Sequence, residues 1–448
     1  MIRRSLLLTL CLAALPLPAS AASAAAAEVV GTSQPAPSLT RARIEAILPR
    51  EQRQPWLDYL DRSARQKIAD RDALAAERKG LATIPPLPAE SGAGRSIPLD
   101  RDAAWYASPE ALHIGDVILS FQTPAGGWSK NLNMAVMPRM RGQSYTPNNI
   151  SRYLGPADFD APADPDWNYV GTLDNDATTT QLRYLAMVCA QVSGTAAAPY
   201  RRAYILGIEY LLKAQYPNGG WPQVWPLEGG YHDAITFNDN AVTQAAAVLT
   251  QLAAHRVPWA CKQDRALCDR ATEAVTRSLR IILATQVRVH GQLTAWAQQH
   301  DPLTLVPVAG RNFEPAALST GESADLLIYL MAMPDPSAAV RQAIDSGIEW
   351  LQSTAVYGYT WSGGRGDPGG RALKAAAGAG PIWPRYISLA TGKPIFGDRD
   401  KTIHDSAAEL SLERRNGYAW YSAGPEFAIR AYATWTKAQT ASVATPTR

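Results

Sequence analysis

The stretch Phe121-Gln-Thr-Pro-Ala-Gly-Gly-Trp-Ser-Lys130 returns later in the chain as Gln215-Tyr-Pro-Asn-Gly-Gly-Trp-Pro-Gln223. Each copy follows a run of apolar residues at helical spacing and reads Gln-x-x-x-Gly-Gly-Trp. Each sets a polar residue two positions beyond the tryptophan. The glycines allow a tight turn that presents the indole. One turn device repeated every two or three helices predicts helical hairpins arranged around a toroid. A second reading, a helix C-cap followed by a core tryptophan, stands with equal weight for Trp128 and Trp221.

Outward from these turns the chain is helical nearly throughout. Apolar residues recur every three to four positions over 40–48, 52–79, 100–122, 178–192, 197–215, 239–255, 266–285, 321–333, 336–353 and 424–438. Strand-type alternation is sparse, so the fold class is all-α, with chemistry expected in the long polar and aromatic loops. The organisation expected is a leader over 1–21, a flexible lead-in over 22–38, a helical extension over 39–99, a main domain over 100–438 and a flexible tail over 439–448.

Arg3 and Arg4 precede the apolar run Leu6–Leu17, and Ala19-Ser-Ala21 offers a small-residue cleavage site. This is the layout of an export signal, too short to span a bilayer. Leu10 before Cys11 argues against a lipid anchor. An exported, secreted or periplasmic monomer without a membrane anchor is expected. Arg3 and Arg4 are two of the 43 Lys and Arg, so processing leaves 41 basic residues against 40 acidic ones. Near-neutral balance excludes a broad field for nucleic acid or anionic membranes; an acidic ligand would need a local cationic cluster. In an oxidising compartment Cys261 and Cys268 either pair or stay apart on different helical faces, at even weight. Cys189 falls in an apolar helix pattern as a buried thiol.

Two loop segments are rich in short carboxylates and amides: Thr172-Leu-Asp-Asn-Asp-Ala-Thr-Thr-Thr180, and Asn238-Asp239-Asn240. Such oxygens suit a hard cation like Ca²⁺. A third, Gly310-Arg-Asn-Phe-Glu-Pro315, carries an arginine in a loop. A cation beside fixed guanidinium groups is a receptor for a sugar carboxylate. The combination points toward an enzyme acting on a uronic acid polymer. The plainer reading makes Asp174, Asn175 and Asp239 helix caps and pairs Arg311 with Glu314. Arg399 would similarly pair with Asp398 or Asp400.

Further motifs are Trp296-Ala-Gln-Gln-His-Asp301, Leu318-Ser-Thr-Gly-Glu-Ser323, Trp383-Pro-Arg385, Lys393-Pro-Ile-Phe-Gly-Asp-Arg-Asp400 and Glu413-Arg-Arg-Asn-Gly-Tyr418. Together with those above, and following the family's order along roughly 100–435, they make the chain resemble a pectate lyase of polysaccharide lyase family 10. The resemblance implies an (α/α)₃ toroid and Ca²⁺-dependent cleavage of polygalacturonate, the backbone of pectin, by β-elimination. Asp174, Asn175 and Asp239 match the family's metal and substrate-carboxylate region. Arg311 matches its arginine base, Arg385 and Arg399 its uronate-binding arginines, and Lys130 a lysine facing the cleft. Asp176, Pro384, Ile387 and Gly397 depart from the family pattern without removing a charged group.

Elimination removes the proton at C5, alpha to the uronate carboxylate, and expels the oxygen at C4. Neutralising that carboxylate stabilises the charge that develops. An arginine base is the awkward step, because guanidinium is ordinarily charged at any working pH. Two other functions compete. A toroidal glycoside hydrolase would use a carboxylate pair, such as Glu314 with Glu322 or Asp174 with Asp239. A pectin-binding protein would use the cation site without turnover.

Overall fold

A computed structural model of the chain describes residues 29–92, 96–364 and 366–444, with side chains to residue 439. The expected leader and residues 22–28 lie outside the described residues. The helices are α1 Arg41–Ile47, α2 Arg50–Arg78, α3 Pro109–Ser120, α4 Thr179–Gln191, α5 Ala198–Ala214 and α6 Ala241–Ala253. They continue with α7 Pro258–Gln263, α8 Arg265–Thr285, α9 Thr320–Met331, α10 Ala338–Ser353, α11 Leu412–Gly417 and α12 Glu426–Ala444. Helices α3, α5, α8 and α10 follow one another around an outer layer, and α4, α6 and α9 pack side by side within it. The fold is the all-α (α/α)₃ toroid.

The Gly-Gly-Trp turns explain why the ring closes. The last carbonyls of a helix have no partner within it and need donors. Four buried indoles supply them: Trp128 donates to Ile118 O of α3, Trp221 to Leu211 O of α5, Trp296 to Ile282 O of α8 and Trp383 to Leu351 O of α10, all at 2.7–2.8 Å. Three glutamines then tie each outer helix to the next. The Gln122 amide reaches Ala203 O of α5, Gln215 reaches Ala274 O of α8, and Gln286 reaches Ala343 O of α10, at 2.8–2.9 Å. Gly126 and Gly219 have φ of +106° and +104°, and a Cβ on either would lie within 2.4 Å of a carbonyl oxygen of the following outer helix. Only glycine fits that approach. Both readings of the repeat therefore hold at once: it is a C-cap with a core tryptophan, and it builds the toroid.

Several expectations need correction. The helix expected over 100–122 is α only from Pro109, because Ser108 caps it there, its hydroxyl accepting from Ala111 N–H; Ala103–Ala107 form a short 3-10 turn. The lead-in is not loose from Val29 onward. Val29–Thr32 is an edge strand paired antiparallel with Thr402–His404. It completes a five-stranded sheet with Pro394–Gly397, Tyr386–Ile387 and Leu318–Ser319. Pairs this short leave too little alternation to read from sequence. The tail is helical through Ala444. Cys261 and Cys268 are disulfide-bonded, and Cys189 is a buried thiol pushed up to about 12 by burial.

The N-terminal extension is no appendage. Leu39, Ile44, Trp56 and Tyr59 share one apolar core with the four turn tryptophans. Arg43 pairs with buried Asp301 at 2.6 Å, and Leu39 N–H donates to Asp233 at 3.0 Å. Asp70 of α2 is fully buried, and burial raises its carboxyl from 3.8 to about 6, only partly offset by hydrogen bonds from Gln66 and the Ala125 backbone.

The unfolded Asp70 carboxyl releases its proton at lower pH than the folded one, so this group's contribution to stability falls as pH rises from 3.8 to about 6. Asp70→Asn keeps the acceptor for Gln66 and cannot ionise. It is expected to flatten that fall and to stabilise the protein at pH 7 by roughly 2–3 kcal/mol, measured by denaturant unfolding across pH.

Candidate active site

The residues two positions beyond the turn tryptophans are Lys130, Gln223, Gln298 and Arg385. Lys130 and Gln223 line one cavity, Arg385 lines the cavity beside it, and Gln298 is buried behind them. Lys130 Nζ meets Asp174 Oδ2 at 2.5 Å and lies 3.4 Å from the centre of the Tyr169 ring. Gln223 Nε2 donates to Asp174 Oδ1 at 2.9 Å. Gln298 donates to Asn238 Oδ1 and accepts from the Tyr386 hydroxyl. Arg385 Nη2 meets Glu322 Oε1 at 2.6 Å, with its guanidinium 4.7 Å from the Tyr418 ring centre.

The acidic partners come from the starts of the inner helices. Asp174–Asp176 and Asn238–Asn240 form single tight turns ahead of α4 and α6, and Glu322 lies in the first turn of α9. Asn175 and Asp239 occupy the left-handed region, with φ of 51° and 48°. Side chains rarely adopt that conformation without surrounding constraint. Neither Asp174 nor Asp239 caps a helix; no side-chain cap bond closes α4 or α6. Their carboxyls instead face a cavity of about 190 Å³ lined also by Lys130, Asn175, Tyr231 and Arg311. Three helix N-termini, each carrying partial positive charge, thus border the cleft and favour anions there.

Asp174 and Asp239 line the same cavity, and each perturbs the other's carboxyl. Burial alone would raise the Asp174 carboxyl, but Lys130 and Asp239 outweigh it and hold it below the usual range. Asp239 moves well above that range, first by burial and then by the charge on Asp174. Two neighbouring carboxyls that resist ionising together make a place where a hard cation could sit. Asn175 lines the same cavity, its amide nitrogen donating to Asn131 at 3.1 Å. Asp174, Asn175 and Asp239 therefore fit a cation site that is completed by water and substrate oxygens. They do not form a closed protein cage, and the described residues hold no cluster of three or more His, Cys, Asp or Glu side chains fit to bind a metal.

Arg311 pairs bidentately with Glu314, Nη2 to Oε1 at 2.6 Å and Nε to Oε2 at 3.1 Å. The plainer sequence reading anticipated this pair. Burial works against the guanidinium charge, yet Glu314 overcomes it and raises Arg311 well above its ordinary value. Glu314 is lowered to about 2 despite burial, chiefly by Arg311, and accepts a hydrogen bond from the Tyr418 hydroxyl at 2.7 Å. A second cavity, of about 220 Å³, adjoins the first through Asp239 and contains Arg385 and Glu322. Arg399 lies outside both. It is held by Glu413 at 2.6 Å rather than by Asp398 or Asp400, and sits 5.3 Å from the Phe313 ring centre.

Lys130, Asp174, Asn175, Asp239 and Arg311 thus converge on one cavity, with Arg385 beside it and Arg399 beyond the Arg311 loop. Sequence reasoning missed Tyr169, Gln223, Gln298 and Tyr418. For the two glutamines the signal was present, since both stand two positions after a turn tryptophan. Tyr231 also lines the cavity, whereas Trp225, Trp296 and Trp420 are core.

A toroid whose cleft gathers lysine, arginines and paired acids defines a sugar-acid enzyme class, and comparison gives the family. The family model described as pectic acid lyase matches residues 122–428, and the chain belongs to that family. It is a polysaccharide lyase of family 10. A Family 10 polysaccharide lyase from Cellvibrio cellulosa is similar at 30% identity and a TM-score of 0.62, over 76% of this chain and 97% of that one. A mutant of the Cellvibrio cellulosa enzyme in complex with trigalacturonic acid matches with the same identity and TM-score, over 98% of its chain. No curated relative matches.

Buried Asn312 ties this loop to both neighbours: its Oδ1 accepts from Phe159 N–H at 2.9 Å, and its Nδ2 donates to Arg399 O at 2.7 Å. Asn312→Ala is expected to cost on the order of 1–3 kcal/mol. Amide hydrogen exchange should quicken around Phe159 and Arg399 before it does so in the helices.

Proposed function

We propose that the protein is an exported pectate lyase that cleaves α-1,4-polygalacturonate by Ca²⁺-assisted β-elimination, with Arg311 as the base. The observation that carries this reading is the cavity in which Lys130, the Asp174–Asp239 pair and Arg311 face one another. Asp174, Asn175 and Asp239 would hold Ca²⁺, and Lys130, Asn175, Arg385 and Arg399 would bind uronate. When bound, Ca²⁺ neutralises the substrate carboxylate and so stabilises the enolate-like charge that forms beside it.

Arg311 in its neutral form takes the C5 proton, the C4–O bond breaks as the 4,5 double bond forms, and the glycosidic oxygen leaves with the electron pair and takes up a proton from water. Glu314 fixes the position of the guanidinium and, by raising its pKa, opposes the neutral form that a base requires. Turnover is therefore expected to climb toward alkaline pH. Arg385 presents its guanidinium against the Tyr418 face for a carboxylate to approach.

A hydrolase fits less well. It needs one carboxyl protonated and one ionised on opposite sides of the scissile bond, whereas Asp174 is held by Lys130 and Gln223 on the same wall of the cavity as Asp239. Glu314, lowered to about 2, cannot serve as the protonated acid.

Incubation with polygalacturonate and Ca²⁺ is expected to give ultraviolet-absorbing unsaturated oligogalacturonides beyond one equivalent of protein, and excess chelator to abolish them. Reducing ends without absorbance would mean hydrolysis, and binding without product a pectin-binding protein. Asp239→Ala should lose activity while the helical spectrum stays, because the toroid core does not depend on the acid pair.

Arg311→Lys keeps a cation but changes proton affinity and planar reach. It is expected to lower kcat by on the order of 10²-fold or more, with oligogalacturonate still bound. Arg385→Ala and Arg399→Ala should weaken binding as well as turnover. Near-normal single-turnover chemistry in Arg311→Lys would remove Arg311 from the base role.

A further inference from the structure

We infer that Arg152 and Tyr153 form an accessory subsite that grips a uronate unit of the polymer beyond the one that reacts. This rests on the pectate lyase reading above. A third cavity, of about 320 Å³, is lined by Arg152, Tyr153, Asp367, Leu412, Glu413 and Asn416. It adjoins the reaction loop on the Arg399 side. The Phe313 ring has Arg311, Arg399 and Arg414 around it, at 4.8, 5.3 and 4.1 Å from its centre. Arg399 in turn lies 4.5 Å from the centre of the Tyr153 ring. A chain of guanidinium groups interleaved with aromatic rings thus runs from the reacting cavity into this one.

The charges and surfaces in the third cavity suit an acidic sugar. Glu413 faces Arg399 at 2.6 Å and Arg414 at 3.7 Å, and Arg152 also lowers its carboxyl. Two guanidinium groups therefore hold this carboxylate, and the charge of a third acts on it. Asp367, the other acid in the lining, turns its Oδ2 to the Gly364 N–H at 2.9 Å. Arg152 is exposed and is held in place by its neighbour, Nη2 donating to the Tyr153 hydroxyl at 2.8 Å. Tyr153 is 40% exposed. The Tyr153 ring carries two guanidinium groups, Arg152 at 4.9 Å and Arg399 at 4.5 Å from its centre. An exposed arginine oriented in this way recognises a pyranose carrying a carboxylate better than a neutral sugar.

The loop bearing both residues is tethered on its far side. Phe159 N–H is held by Asn312 of the reaction loop, and Asp160 accepts from the Tyr231 hydroxyl in the reacting cavity. Fixing the loop beforehand lowers the ordering cost of binding a long chain.

Calorimetry with trigalacturonate and hexagalacturonate, alongside kcat and KM, tests this on the full-length protein and on Arg152→Ala and Tyr153→Ala. The wild type is expected to prefer the hexamer. Each variant should bind the hexamer about tenfold more weakly, with the loss falling on KM and the hexamer-to-trimer preference collapsing. Equal loss for both lengths, no loss for either, or a wild type indifferent to length would overturn the subsite. Both substituted side chains are solvent-exposed, so folding should survive, and an unchanged melting temperature checks it. A wild type that shows the expected binding pattern but forms no unsaturated product would sink the lyase reading and still support the subsite.

Discussion

An α-helix that ends inside a packed ring leaves carbonyl oxygens that water cannot reach. In this protein an indole N–H answers at the end of each of four outer helices, and at three of them a glutamine amide extends to the next helix. A buried carbonyl without a donor is costly, so the tryptophans cannot drift in register. The chain beyond each indole therefore leaves the ring at a fixed angle, and at three of the four the side chain two positions on lines a cavity, while Gln298 packs directly behind. Site geometry is inherited from helix capping.

Fixed positions alone would not hold like charges together. The three arginines of interest each have a resident carboxylate: Glu314 for Arg311, Glu322 for Arg385 and Glu413 for Arg399. Such pairs recover part of the desolvation cost of keeping guanidinium groups in a partly closed cleft. They also keep the groups planar and aimed. On the proposed reading, an arriving sugar acid would compete for, or share, donors that are already oriented.

Much of this was legible in the chain. Two copies of Gln-x-x-x-Gly-Gly-Trp announced the toroid, and nine of the ten helical spans expected from periodicity match observed helices closely. The third copy was hidden because the two glycines are replaced by a small hairpin, Arg288–Val289 with Gln292–Leu293, which lengthens the gap between Gln286 and Trp296. The fourth keeps only its tryptophan. The Arg311–Glu314 pair was readable because both partners share one tight turn. Glu322 and Arg385 are 63 residues apart, and nothing local to either foretells their meeting. Capping was the reasonable local expectation for Asp174 and Asp239, and the left-handed turns overruled it by directing both carboxyls away from the helix ends.

The indole-plus-two rule has an evolutionary consequence. Lys130, Gln223, Gln298 and Arg385 hold the same position after four turn tryptophans. Lys130, Gln223 and Arg385 line the cavities, and Gln298 supports them through Asn238 and Tyr386. A swap at a lining position therefore rewrites the electrostatics of the cleft while the capped helices that carry it stay as they are. Cation, amide, cation is one setting of a three-position dial. Related rings could reach different polymers through a handful of substitutions, and a designer wishing to redirect this one would begin at those three side chains.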